Sequence, residues 1–292
     1  MAKLKEIRSR INSVKNTRQV TSAMKMVSAA KLKKAQDLIL QIAPYDRKFR
    51  EIVNSLGEAS DLDNIYLIQP EIQNVLIVVV GANRGLCGGF NSNIVKTATE
   101  HAFKKYNNWV KNGKVHFLPV GRQVEKGLTS MFAPIEHEEN QLWSDFTYRE
   151  VNRIAHKLMY LFSSGSYQRI DIVYHKFRNA AVQEQTIEQY LPVSKSTNFQ
   201  SSYTSTLNYL FEPTKEEVFS NLIPQWLVMQ LYRILLDSNA AEQGARMTAM
   251  HKATDNATEM LKDLRTTYNN ARQAAITNEI VEITAGAEAL KG

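Results

Sequence analysis

The first 43 residues constrain the fold more than any other part of this chain. Residues 2–43 contain no glycine and no proline, and they are dominated by good or fair helix formers. This composition predicts one helix of about 40 residues, which at about 1.5 Å per residue spans roughly 60 Å and is longer than a small domain is wide. Pro44 is expected to kink or restart the helix, and an apolar face continues to Gly57.

Apolar side chains at three-four spacing predict that this helix packs against a partner helix. The spacing of a coiled-coil seam occurs near the N-terminus and again around residues 32–42. Between these stretches the register fails, because the expected seam positions are polar: Arg18, Thr21, Lys25 and Ser28. A shifted apolar stripe lies beside them: Val20, Met24 and Val27. The alternative is an irregular amphipathic helix that packs on its own domain.

The C-terminal end predicts a second long helix. Thr214 is the expected N-cap, and no proline follows Pro224. Small and apolar residues then follow at steps of three or four: Met250, Ala253, Ala257, Met260, Leu264, Tyr268, Ala271 and Ala275. A second run continues the seam: Ile276, Ile280, Ile283, Ala287 and Leu290. Gly244 costs up to about 1 kcal/mol in this helix unless a close contact requires it. The two terminal helices most simply pair antiparallel.

An α/β domain is predicted between the two helices. Residues 75–80, VLIVVV, are typical of a strand that is buried on both faces of a parallel sheet. Further strands are expected at 115–120, 170–177 and 182–193, and helices at 92–110, 122–130 and 147–163. Asn91 is the expected cap of the first of these helices, and residues 194–206 form a polar loop. The alternation favours a parallel or mixed sheet with right-handed crossovers.

The glycine-rich turn at residues 81–89 lies where dinucleotide-binding proteins hold a phosphate. Its spacing matches neither the Gly-x-Gly-x-x-Gly fingerprint nor the P-loop, since Phe90 and Asn91 follow the last glycine. The turn therefore favours a tight strand-to-helix connection or a protein contact over a phosphate site.

No catalytic, cofactor or metal site is predicted. Cys87 is the single cysteine, so it cannot form an internal disulfide, and no histidine close in sequence could activate it. We expect it to be an inert small residue. The six histidines lack paired metal-ligand spacing. Glu136, Glu138 and Glu139 are expected to form a solvated acidic run.

Positive charge is concentrated in the N-terminal region. Residues 1–50 contain thirteen Lys and Arg against three acidic residues, a local charge of +10, whereas the whole chain carries +7. A basic excess in one element favours an acidic partner, which could be nucleic acid, anionic lipid or a carboxylate-rich protein surface. No signal peptide and no uncharged apolar run of about 18 residues is present, so we expect neither export nor a membrane span.

Three segments resemble the gamma subunit of F-type ATP synthases. They are AKLKEIRSRINSVKNTRQVTSAMKMVSAAKLKKAQ, GANRGLCGGFNSN and ARMTAMHKATDNATEMLKDLRTTYNNARQAAITNEIVEITAGAEAL. The resemblance implies an α/β fold in which a long antiparallel coiled coil of the N- and C-terminal helices carries a central Rossmann-like domain. The implied domains are a stalk helix at 1–57, the α/β domain at 70–208 and a pairing stalk helix at 209–292.

The resemblance also implies a function. Such a subunit is non-catalytic and forms a central stalk that transmits rotation between the proton-driven rotor ring of the membrane (c-ring) and the alpha/beta catalytic hexamer. The implied partners are the alpha, beta and epsilon subunits and the c-ring, with no cofactor and no nucleic acid. The family motif begins at the N-terminus without a transit peptide, which favours a peripheral protein on the cytoplasmic face of a bacterial plasma membrane. Thiol regulation is not expected, because the two-cysteine insert of plant chloroplast members is absent.

Residue positions carry over from the same resemblance. Those implied to contact the alpha/beta hexamer are Met24, Lys25, Arg272, Gln273, Thr277 and Glu282; those implied to contact the rotor ring are Tyr209 and Glu212. One alternative is a basic coiled-coil nucleic-acid-binding protein, which lacks an aromatic stacking platform here. The other is a nucleotide-dependent enzyme on the α/β domain, which the glycine spacing opposes.

Overall fold

The computed structural model describes residues 2–57, 64–131, 133–135, 139–143, 146–193, 212 and 214–289. It divides into two compact units, one formed by Met1–Ser28 with Met247–Gly292 and the other by Ala29–Arg246. Both boundaries fall within long helices, and neither coincides with a boundary of the sequence-based domains. The division into 1–57, 70–208 and 209–292 stays a prediction.

The two terminal helices are continuous. Helix α1 spans Ala2–Gly57 with Pro44 inside it. The C-terminal helix, here α6, spans Lys215–Ala289. Thr214 is confirmed as its cap, since the backbone N–H of Glu217 donates to the Thr214 hydroxyl over 3.3 Å. The helices pair antiparallel, because in the first unit successive residues of α1 meet residues of α6 in reverse order.

The predicted mixed sheet is confirmed. Its strands are β1 (Val75–Val80), β2 (Val115–Val120), β3 (Arg169–Phe177) and β4 (Gln183–Leu191). The spatial order is β2-β1-β3-β4, with β1 parallel to both neighbours and β4 antiparallel to β3. The helices of this domain are α2 (Phe90–Lys105), α3 (Asn107–Lys111), α4 (Arg122–Ser130) and α5 (Tyr148–Ser163).

Strand β1 is apolar throughout because both of its faces are buried. Leu76, Val78 and Val80 join a core that includes α5 and α6 residues. The alternate residues, Val75, Ile77 and Val79, join a second core with α2 and α4 residues. A strand with period-two side chains between two apolar layers must be hydrophobic at every position.

The helix after the glycine-rich turn differs from its prediction. It begins at Phe90, with Gly89 as an N-cap that makes no side-chain bond, and it ends at Lys105. Asn91 is therefore not the cap. Its amide oxygen accepts from the backbone N–H of Ala82 over 2.9 Å, so it closes the turn instead. The polar segment 194–206 lies outside the described residues.

Candidate functional site on the terminal helices

The seam of α1 continues through its polar midsection, contrary to the prediction that its register fails. Thr21 and Ser28 are 9% and 2% exposed, and Arg18 and Lys25 are half-buried, so the three-four spacing is unbroken. Each buried hydroxyl has a local partner: Ser28 Oγ donates to the Met24 carbonyl over 2.8 Å, and Thr21 Oγ1 to the Arg18 carbonyl over 3.1 Å. Hydroxyls satisfied in this way can occupy a seam that apolar residues usually fill.

The shifted apolar stripe faces solvent. Val20 is 57% exposed and Val27 is 56% exposed, and Met26 beside them is 65% exposed. Met24 is half-buried at the edge of the seam. Exposed branched and thioether side chains on a basic helix form a surface suited to a protein partner.

Lys25 is positioned by the opposite helix. Its Nζ lies 3.3 Å from Nδ1 of His251. Nδ1 of His251 in turn lies 3.4 Å from a carboxylate oxygen of Asp255. The Thr254 hydroxyl donates to the Thr21 hydroxyl over 2.9 Å one turn away. These polar contacts fix the register of the two helices within this unit.

The seam of α6 differs from its prediction at one position. Met260 is 52% exposed, and its neighbour Leu261 is 4% exposed. Ala253 is partly buried as predicted, and Thr254 beside it donates a hydrogen bond to α1. The buried spacing then runs from Met250 in steps of four and three, because each helical turn of the pair must meet α1 on the same face.

The end of α6 has no covering helix among the described residues. Partial burial ends at Ala275, and every position from Ile276 to Glu288 is exposed. The second apolar run is therefore not a seam within this chain. In the register set by Thr21 and Thr254, Ala2, the first residue of α1, lies opposite Gln273. Four large apolar side chains are exposed at this end: Ile276, Ile280, Val281 and Ile283.

The implied hexamer-contact residues of α6 lie along this end. Arg272, Gln273, Thr277 and Glu282 are all exposed. Thr277 Oγ1 donates to the backbone carbonyl of Gln273 over 2.9 Å, and the Gln273 side chain takes no part in this hydrogen bond. Glu212 is exposed and lies in the other unit. Tyr209 lies outside the described residues.

The glycines of the turn serve close packing between strand ends. Gly81 donates its N–H to the Val120 carbonyl over 2.9 Å. A Cβ on Gly121, where φ is +126°, would lie 2.6 Å from the Gly81 carbonyl oxygen. Arg246 of α6 donates to the carbonyls of Arg84 and Gly85. These hydrogen bonds join the turn to α6 of the same chain.

Cys87 in this turn is 2% exposed, and burial raises the pKa of its thiol. A neutral buried thiol is a poor nucleophile, which agrees with the inert role predicted for it.

A charge cluster at the sheet was missed by the sequence analysis. Asp171 is 1% exposed, and its carboxylate lies 2.8 Å from His101 Nε2, 2.7 Å from the Tyr106 hydroxyl and 3.1 Å from Arg169 Nε. Burial alone would raise the pKa of Asp171, but the His101 hydrogen bond and the Arg169 charge outweigh it and lower the pKa to about 2. The isolated sequence gives no signal for this cluster, because His101 lies in α2 and Tyr106 directly follows it, whereas Arg169 and Asp171 lie in β3, far along the chain.

The prediction of a solvated acidic run is wrong for Glu139. This residue is 5% exposed and lies 2.6 Å from Arg153 Nη2 and 2.8 Å from Lys157 Nζ. Glu136 and Glu138 lie outside the described residues.

No cluster of three or more His, Cys, Asp or Glu in the described part of the chain could hold a metal ion. None of the described helices combines the length and the apolar character that crossing a membrane requires.

Comparison with known proteins accounts for the whole chain. A family model described as ATP synthase matches residues 3–290. The chain is 46% identical to the ATP synthase gamma chain of Christiangramia forsetii and 47% identical to that of Flavobacterium psychrophilum, with 100% of both chains covered in each case. It is 39% identical to the ATP synthase gamma chain of Chlorobaculum tepidum, again over 100% of both chains.

Solved structures agree with the fold. A chain of the Euglena gracilis mitochondrial ATP synthase in rotational state 3 matches 99% of this chain and 95% of its own length, with a TM-score of 0.71 and 20% identity. A chain of the rotor from the same organism in rotational state 1 matches 94% of this chain and 99% of its own length, with a TM-score of 0.66 and 20% identity. With relatives above 40% identity over the full length, the chain belongs to the ATP synthase gamma chain family.

Proposed function

We propose that this chain is the central-stalk subunit of an F-type ATP synthase. It is a non-catalytic part of the rotor, and it transmits rotation between the proton-driven membrane ring (c-ring) and the alpha/beta hexamer. The full-length similarity to proteins named ATP synthase gamma chain carries this proposal. The geometry agrees with it, because the uncovered apolar end of α6 and the exposed stripe of α1 are surfaces that other proteins would cover.

The charge of the coiled coil suits a shaft that must push without binding tightly at one angle. Met24, with Lys25 beside it, faces the acidic loop of a beta subunit in this proposal. A close ion pair near a protein surface is worth about 4 kcal/mol at an effective dielectric near 20, before desolvation. Contacts of this strength bias the angle of the shaft and still release.

Residues near the end of α6 make two kinds of contact with the hexamer in this proposal. Arg272 and Gln273 grip beta-subunit loops, and Thr277 and Glu282 turn with the apolar end inside the upper part of the hexamer. The segment 276–288 contains three Glu and no Lys or Arg, so this end is acidic while α1 is basic. The contacts with the membrane side of the rotor involve other residues in this proposal: Tyr209 and Glu212 contact the c-ring, and the epsilon subunit binds the α/β domain.

The location follows from the same proposal. The chain is a peripheral component at the cytoplasmic face of a bacterial plasma membrane, and the bacterial sources of its relatives support this. None of the relatives named above supports nucleic-acid binding. A nucleotide site on the glycine-rich turn is opposed by its glycine spacing, which matches neither phosphate-binding fingerprint.

Reconstitution tests the function. The purified chain is mixed with alpha and beta subunits from the same organism, and the complex is isolated by size-exclusion chromatography and assayed for ATP hydrolysis. We expect a stoichiometric complex that hydrolyses ATP, and an isolated chain that hydrolyses none. Saturable ATP turnover by the chain alone would instead support the enzyme, and salt-dependent duplex binding without complex formation would support the nucleic-acid-binding protein.

The variant Met24→Lys tests the proposed beta-subunit contact. It adds a second cation beside Lys25, so we expect proton pumping per ATP hydrolysed to fall in inverted vesicles while hydrolysis itself changes less. The matched control is Met131→Lys, because Met131 is 53% exposed and directly follows α4 of the α/β domain, so the same change is made outside the stalk helices. Equal pumping per ATP in the Met24→Lys variant and the unmodified enzyme would remove Met24 from the contact.

A further inference from the structure

A short segment of α6 packs unusually closely on the α/β domain, and we refer to residues 241–246 as the helix seat. Ala241 is 0% exposed, and with Ala245 it packs against Ala82, Cys87 and Phe90 of the glycine-rich turn. Alanine at both positions lets the helix axis approach the turn, since neither residue has atoms beyond Cβ.

Gly244 brings the seat against a second part of the domain. A Cβ at this position would lie 3.2 Å from both the Cα and the carbonyl oxygen of Ala180, which lies between β3 and β4. Backbone atoms at that distance cannot move aside as a flexible side chain could. The close contact gives a physical reason for a glycine within a long helix.

Arg246 closes the seat with directional contacts. Its side chain is 9% exposed and donates to the Gly85 carbonyl and, over 3.2 Å, to the Arg84 carbonyl. Glu242, one turn earlier, accepts from the same guanidinium over 2.6 Å. The planar guanidinium is therefore held on one side by the turn and on the other by its own helix.

We infer that Arg246 is the positioning residue through which the α/β domain transmits torque to α6. Near its start, α6 is held on β4 by two directional contacts: the Tyr190 hydroxyl donates to the Leu227 carbonyl over 3.0 Å, and Arg233 Nη2 donates to Glu188 over 3.1 Å. Arg246 adds a third directional contact about four helical turns further along α6, where the apolar packing around it has no preferred direction of its own. Two hydrogen bonds from a planar group to fixed carbonyls resist rotation of the helix about its axis. Arg246 is also the last residue of its unit, and α6 continues from it into the coiled coil. The inference rests on the proposed rotor function.

The variant Arg246→Ala in the complete ATP synthase tests the inference. We expect proton pumping per ATP hydrolysed to fall in inverted vesicles while ATP hydrolysis continues. Loss of hydrogen bonds to a buried charge should raise amide exchange in residues 82–90 about tenfold. Arg246→Lys keeps the charge but not the fork of donors, so it should recover only part of the pumping.

Arg153→Ala is the matched control. It breaks a contact of the same 2.6 Å length to the buried carboxylate of Glu139, but on α5 rather than at the helix seat. If Arg246→Ala and Arg153→Ala leave pumping per ATP equal, Arg246 has a structural role only and the inference fails. If the Arg246→Ala variant does not assemble, the inference is tested with Arg246→Lys and Glu242→Gln. Their proton pumping per ATP hydrolysed is compared with that of Arg153→Ala in the same way. Failure of the rotor function itself would differ, because then the unmodified chain would not support pumping.

Discussion

Replacing Gly121 with alanine is expected to lower the free energy of unfolding by more than about 3 kcal/mol. Gly121 follows β2 with φ at +126°, a conformation that residues with a side chain rarely adopt. The added Cβ would lie 2.6 Å from the carbonyl oxygen of Gly81 and 2.8 Å from its carbonyl carbon. Since both contacts are with backbone, alanine would force the ends of β1 and β2 apart.

Urea unfolding of the full chain measures this effect, and Gly85→Ala is its control. Gly85 lies in the glycine-rich turn at 81–89, and nothing lies within 4 Å of the position that its Cβ would occupy. Its replacement should change the free energy of unfolding by less than about 1 kcal/mol. Similar midpoints for the two variants would show that the close approach of the strand ends does not exist in solution.

The variant Asp171→Asn is expected to destabilise the chain by about 3–5 kcal/mol at neutral pH. The substitution removes a buried charge but leaves its partners in place. Arg169 Nε loses a carboxylate acceptor at 3.1 Å, and the Tyr106 hydroxyl loses one at 2.7 Å. A guanidinium and a phenol that remain buried without that acceptor carry the full cost of their desolvation.

The effect of Asp171 should depend on pH in a defined direction. Its pKa in the folded protein, about 2, lies below the ordinary value of 3.8, so the folded state favours the ionised form. This stabilisation is fully present above the unfolded-state pKa and is lost as the pH falls through the folded-state pKa. The difference between the two proteins should therefore be constant above about pH 5 and should shrink towards about pH 2.

Glu184→Gln supplies the comparison for Asp171. Its carboxylate pairs with Arg178 over 2.8 Å, but both side chains are more than half exposed. Such a surface pair contributes less than about 1 kcal/mol. If Asp171→Asn costs no more than Glu184→Gln, the cluster around Asp171 does not stabilise the domain.

Local signals predicted most of the fold. VLIVVV at 75–80 identified a strand with two buried faces, and Thr214 identified the start of the C-terminal helix. These predictions needed only neighbouring residues, since strand burial and helix capping are short-range patterns. The resemblance of the three quoted segments identified the family, which full-length relatives confirm.

Long-range contacts set the features that the sequence analysis missed. Thr21 and Ser28 occupy the seam because hydroxyls can bond to their own helix, a choice that an apolar pattern does not record. Glu139 was expected to be solvated, but Arg153 and Lys157 from a later helix bury it. Leu261 replaces Met260 on the seam because the partner helix, rather than hydropathy, decides which face is covered.

The candidate site follows the same division. The structure gives the local environment of Met24, Lys25 and the exposed end of α6. Their partners belong to other chains, so the roles carried over by resemblance stay predictions. His251, which positions Lys25, had no signal in the sequence because the contact joins residues that are far apart along the chain.

Rotation of this chain inside an alpha/beta ring tests the central claim most directly. The ring is fixed to a surface, a probe is attached to an engineered cysteine in the α/β domain, with Cys87 replaced by alanine, and the probe is followed in a microscope after ATP is added. The account predicts continuous rotation in one direction that stops when ATP is removed. A ring that hydrolyses ATP while the probe on this chain stays still would contradict it.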